Sequence, residues 1–130
     1  MQKIENYKSA LAQLEQAIHF YSAESQDALY RDGLIQRFEF TVELAWKSLK
    51  EYLEDQGMVV GIASPRGILK EAFAAGIIDD ADVWNEILTA RNTTSHIYDE
   101  ATAIRIAQQI CTQFPAPMRK LMEFYIQQEE

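Results

Sequence analysis

Apolar residues recur along most of this chain at the spacing of a helix surface. Ile4, Tyr7, Leu11, Leu14, Ile18 and Tyr21 follow one another at steps of 3, 4, 3, 4 and 3. That rhythm draws a single stripe down a helix of about five turns, with Lys8, Glu15 and Gln16 on the opposite face. The ESQDA stretch and the short run to Gly33 allow a break or a new start, so a second helix is predicted from about Asp27 to Asp55. Its apolar set is wider: Leu34, Ile35, Phe38, Val42, Ala45, Trp46, Leu49, Tyr52 and Leu53. An arc that broad must bury against two neighbours, or against one neighbour and a second copy of the chain. On the remaining face Glu43, Lys47 and Glu51 alternate in sign at helical spacing.

DQGMVVGIAS interrupts the helical pattern with two glycines and reads as a loop with an apolar anchor. Ser64-Pro65 then starts a short helix: the serine caps, and proline suits the first position because its missing N–H would be unpaired there. Ile68, Leu69, Ala72 and Phe73 mark one side of that helix, and Gly76 suits its end. Asp79, Asp80 and Asp82 open the next helix at the positive end of its dipole. Its apolar face is Val83, Trp84, Ile87 and Leu88, and it runs into RNTTSH. Asp99 can cap a further helix carrying Ile104, Ala107, Cys111 and Phe114. Pro115 and Pro117 end that helix and begin a last one, with Met118, Leu121, Met122 and Tyr125 inward. Neither strand alternation nor an internal repeat is evident. The predicted fold is all-α, a single domain over residues 1–130, built as an up-and-down bundle of two long and three or four shorter helices.

Composition narrows the function classes. The 130 residues carry 12 basic and 20 acidic side chains, a net charge of −8, which argues against broad charge-driven binding to nucleic acid. Cys111 is the one cysteine, so no intrachain disulfide can form and a reducing cytoplasm is the expected compartment. The start, MQKIENYKSA, lacks the apolar core of a signal peptide, and no apolar run approaches membrane-spanning length. His19 and His96 are the only histidines, and no pair of metal ligands stands at the usual spacing, so neither a metal nor a cofactor is expected. The common glycine-rich phosphate loops and the nucleophile elbow are missing.

One segment combines chemistry that helix building does not require. RNTTSHIYDE, Arg91 to Glu100, begins with a permanent cation whose planar fork suits phosphate. It continues through Asn92, Thr93, Thr94 and Ser95, all poor helix formers, to His96, which exchanges protons near neutral pH. On a continuing helix Asn92 and His96 share a face, as do Arg91 and Tyr98. Arg91 and His96 would instead point about 140° apart. They meet on one ligand only if the helix ends here, or if two copies bring them together across a twofold axis. The plain alternative is that both neutralise a helix C-terminus.

Arg91-Asn92, three residues and then His96 resemble the motif of HEPN domains, and Tyr98 completes the arginine–four residues–histidine–x–tyrosine form. QRFEFTVELAWKSLKEYL (36–53), SPRGILKEAFAAGII (64–78) and WNEILTARNTTSHIYDE (84–100) are similar, in that order, to the nucleotidyltransferase substrate-binding branch of that superfamily. The resemblance implies a helical, homodimeric protein acting with a separately encoded minimal nucleotidyltransferase, in a toxin–antitoxin type of pair. In one role it binds or presents that enzyme's substrate, with Glu39, Phe40, Glu43, Trp46 and Lys47 walling a groove for a nucleotide. In the other it is a metal-independent RNase. Arg91 and His96 would then cut RNA, with Asn92, Thr93 and Ser95 in support, and the partner would silence it by adding AMP to Tyr98. A helical adaptor with no nucleotide connection is the outside alternative.

Overall fold

The computed structural model describes residues 1–24, 27–58, 64–96 and 99–129. Among these residues there are six helices: α1 (Gln2–Glu24), α2 (Ala28–Asp55), α3 (Pro65–Ala74), α4 (Ala81–Thr94), α5 (Glu100–Thr112) and α6 (Pro115–Gln128). This is the all-α bundle expected, with two long helices and four shorter ones. Residues 59–63, where the loop's apolar anchor Val59-Val60 falls, lie outside the described residues.

The helix boundaries follow local chemistry. Asp27 accepts from the backbone N–H groups of Leu29 and Tyr30 and so caps α2. Ser64 accepts from Gly67 N at 3.0 Å, with Pro65 in the first turn of α3. That helix closes in a paired turn: Ile77 N–H reaches Ala72 O and Gly76 N–H reaches Phe73 O. Gly76 sits there at φ 77°, a conformation a side chain would resist. The cap predicted for α5 is in place, with Asp99 accepting from Thr102 N at 3.0 Å.

The breadth of the α2 apolar arc is resolved by position. α2 packs against α1, α3, α4 and α5, and side chains of α6 reach it as well. Leu34, Phe38, Val42, Ala45, Leu49 and Leu53 are buried along it. The Phe38 ring stacks on Phe114, centroids 5.6 Å apart, at the centre of the core. Of the two alternatives for that arc, Phe38 follows the first: its ring is fully enclosed within one copy and is not open to a second.

Buried hydroxyls find partners, as a low-dielectric interior requires. Ser48 Oγ lies 2.8 Å from the Tyr125 hydroxyl, and Tyr7 donates to Met118 O at 2.7 Å. Burial raises both tyrosines above the ordinary phenol range, so they stay neutral donors that tie α1, α2 and α6 together. No described helix is long and apolar enough to cross a membrane.

Because Phe38 is enclosed on all sides, Phe38→Ala is expected to cost about 3–5 kcal/mol of stability. Urea denaturation of the variant beside wild type measures the loss; a change below about 1 kcal/mol would contradict this placement.

Candidate functional site

The candidate segment lies where α4 runs out against α2. Four residues there favour other backbone states, and two of them compete directly for helix carbonyls. Thr93 Oγ1 donates to Thr89 O at 3.0 Å and Thr94 Oγ1 lies 2.7 Å from Arg91 O. The helix ends at Thr94, and His96 N–H closes the turn on Thr93 O at 2.9 Å. The helix runs into RNTTSH as expected and ends inside it, so the angle between Arg91 and His96 on a straight helix no longer applies. His96 is exposed in that turn. Tyr98 lies outside the described residues.

Arg91 is held from two sides. Its Nη1 donates to Glu39 Oε2 of α2 at 3.3 Å and to Ser95 Oγ at 3.1 Å. Thr94 Oγ1 lies 2.7 Å from the same Glu39 oxygen. Both side chains of the ion pair are 29% exposed, so solvent screens them only in part. Arg91 Nε is buried and has no partner among the described residues. The arginine does more than balance the end of its own helix: it fastens α4 to α2.

A groove of about 520 Å³ opens beside this contact. Val42, Glu43 and Trp46 of α2 form one wall, the Ser64–Arg66 start of α3 a second, and Leu88, Arg91, Asn92 and Ser95 the third. Its size falls within the ~300–1,000 Å³ of small-molecule sites. The candidate residues divide around it. Arg91, Asn92 and Ser95 line it together with Glu43 and Trp46, whereas Thr93 faces a separate depression with Arg105. Glu39 reaches it through Arg91. Lys47 stands behind the wall, its Nζ 3.2 Å from Glu43 Oε1 and 5.8 Å from the Trp46 ring centre. The indole N–H of Trp46 donates to Glu43 Oε2 at 3.3 Å, which fixes the ring. Phe40 is 64% exposed on the outer face of α2 and does not line the groove.

Two arginines near the segment went unnoticed in the sequence. Arg66 lines the groove from α3, its Nη1 on Asn85 Oδ1 at 3.0 Å and its Nη2 on Thr89 Oγ1 at 3.1 Å. Arg31 is buried in α2, with Nη2 3.7 Å from Glu100 Oε1 at the start of α5. An arginine in the first or second turn of a helix reads as a solvated side chain, and no spacing distinguishes these two. Asp99, whose carboxyl the Thr102 backbone N–H and hydroxyl hold below the usual carboxylate range, fixes the same start of α5. Both ends of the segment between α4 and α5 are therefore anchored. Among the described residues no group of three or more potential metal ligands comes together.

Known proteins share this arrangement of helices. The family model for nucleotidyltransferase substrate binding protein-like chains matches residues 2–127. A Haemophilus influenzae Rd protein named as a probable ribonuclease HepT is 38% identical over 88 residues, 65% of this chain and 60% of its own length. A Haemophilus influenzae structure, described as revealing the fold of a substrate binding domain of a nucleotidyltransferase, superposes with a TM-score of 0.81. It is 30% identical, over 93% of this chain and 97% of its own. A Thermus thermophilus crystal structure aligns at TM-score 0.75 and 31% identity, over 94% of this chain and 97% of its own.

If Glu39 and Arg91 act on each other, their single alanine variants will not be additive with the double. A double-mutant cycle in urea denaturation should return a coupling of about 1 kcal/mol. Additive losses would mean that the ion pair does not fasten α4.

Proposed function

This chain belongs to the nucleotidyltransferase substrate binding protein-like family, and we propose that it is the substrate-holding subunit or the target of a separately encoded minimal nucleotidyltransferase. The observation that carries the reading is the seat of Arg91, a cation positioned by Glu39 and Ser95 on the wall of a groove that also presents Trp46 and Asn92. Glu43 and Trp46 hold the base side of a nucleotide in this reading, and Arg91 its phosphate. The toxin–antitoxin pairing, the cytoplasmic setting and the organisation of 1–130 as one domain belong to the same proposal. Tyr98 is the acceptor for nucleotide transfer, two residues past His96 in the segment anchored by Arg91 and Asp99. Incubation with the partner enzyme and ATP is expected to raise the intact mass by one AMP, and Tyr98→Phe to abolish the increase. A mass shift that survives the substitution would move the acceptor elsewhere.

A second reading has its own support: the relative named as a probable ribonuclease, and the exposure of His96 beyond the end of α4. Here the chain is a metal-independent RNase working as a homodimer. His96 moves the proton between the RNA 2′-OH and the leaving oxygen, and Arg91 stabilises the charged phosphate. The outer stripe of α2 suits a second copy: Leu29, Gly33, Gln36, Phe40, Glu43 and Lys47 recur at steps of 4, 3, 4, 3 and 4. Leu29 is 77% and Phe40 64% exposed on it. In an antiparallel pairing centred between Gln36 and Arg37, Phe40 faces Gly33 of the second copy. A side chain added at Gly33 would meet no heavy atom within 4 Å, so there is room for the ring. In this reading the two copies bring their Arg91/His96 sets to a common cleft across the twofold axis. RNA cleavage in EDTA by wild type, lost in His96→Ala, is the expected result. Phe40→Glu should abolish it too by giving a folded monomer in light scattering; cleavage by that monomer would remove the shared cleft.

A further inference from the structure

We infer that the groove beside Arg91 is a nucleoside monophosphate site in which Arg66 holds the phosphate and Trp46 receives the base. The inference rests on the substrate-holding reading above; it narrows that reading's nucleotide to a monophosphate and adds Arg66 beside Arg91 as the phosphate contact.

The charges around the groove are unequal in their compensation. Arg91 meets Glu39, and Glu43 meets Lys47. Arg66, by contrast, is gripped by an amide oxygen and a hydroxyl, at 3.0 and 3.1 Å, and no described carboxylate pairs with it. In a chain with a net charge of −8, acids are plentiful, yet none among the described residues stands against this guanidinium. Two neutral acceptors fix the plane of its fork in advance, so binding an anion costs little further side-chain ordering. It stands in the first turn of α3, where the helix dipole adds positive potential and Ser64 and Pro65 complete that wall of the groove.

The opposite wall is suited to a flat, partly polar ring. Trp46 is half-buried, and its indole N–H is already engaged by Glu43, so its orientation is set and its face is what remains for a ligand. Val42 and Leu88 supply an apolar floor between the walls. Glu43 keeps lone pairs beyond those used by Lys47 and Trp46, and these can accept from the exocyclic amine of a base. A phosphate contact, an aromatic platform and a carboxylate acceptor within one groove of about 520 Å³ describe a nucleotide rather than a bare anion or a peptide.

Tryptophan fluorescence tests this on the protein alone. The chain has two tryptophans, and Trp84 is buried at 2% exposure, so quenching by a bound base reports Trp46. AMP is expected to quench wild type, and calorimetry to give matching affinity. Arg66→Gln should weaken AMP binding on the order of tenfold or more while adenosine binds as before. Trp46→Phe should remove the quenching and weaken both ligands, and Lys70→Gln, on the exposed side of α3, should change neither. No AMP binding by calorimetry, equal loss of AMP and adenosine in Arg66→Gln, or inorganic phosphate binding as tightly as AMP would each overturn the site. The titration needs no partner, so AMP binding without any partner complex counts against the pairing alone. A partner complex formed by a protein that ignores AMP counts against this site alone.

Discussion

A helix of 28 residues enclosed by neighbours has to hide apolar surface around most of its circumference, and that constraint organises this molecule. α2 meets it by taking α1, α3, α4 and α5 onto its sides, with α6 reaching in through Tyr125. Apart from Arg31, Thr41 and Ser48, which are buried, the polar residues left on it lie on a narrow outer stripe and in the seams between neighbours. Glu39 falls in the seam with α4, and Glu43 and Trp46 beside it. The groove exists because α3 and α4 approach α2 from the same side and leave a gap at their ends.

The end of α4 follows from the same constraint. A better helix former at Thr93 or Thr94 would carry the helix onward and turn His96 with it. Hydroxyls that prefer carbonyls of the preceding turn stop it at Thr94, and Glu39 receives the side chains that the stop leaves behind. Asp99 and the Arg31–Glu100 contact then fix where α5 begins. The segment that carries the candidate side chains is in this way held at both ends by elements of the core.

Much of the fold was legible in the sequence because its signals are local. Capping by Ser64 and Asp99, the prolines at 65 and 115 and the left-handed Gly76 each act within a turn of their own position. Apolar spacing located most of the buried faces, but α5 buries Ala103, Ile106, Ala107 and Ile110 where Ile104 and Cys111 were expected beside Ala107, and Phe73 of α3 is exposed. Partnership across the fold was not legible. Nothing in the sequence separates Phe38, enclosed against Phe114, from Phe40, exposed two positions later, until the neighbours of α2 are known. Glu39 was singled out as a groove residue, and its contact with Arg91 joins positions 52 apart. Arg66 was passed over because its meaning depends on what does not pair with it, which only three dimensions reveal.

The counter-ion of Arg91 has a consequence for selectivity. An anion arriving there does not fill a vacancy; it exchanges with a carboxylate that the fold already supplies. The net gain is the difference between two ion pairs, so a singly charged carboxylate ligand replaces like with like and wins little. A phosphate, with more charge and more acceptor oxygens, competes better with Glu39 for that guanidinium than a carboxylate does. In the substrate-holding reading Glu39 is thereby a resident competitor that sets a threshold of charge density for entry.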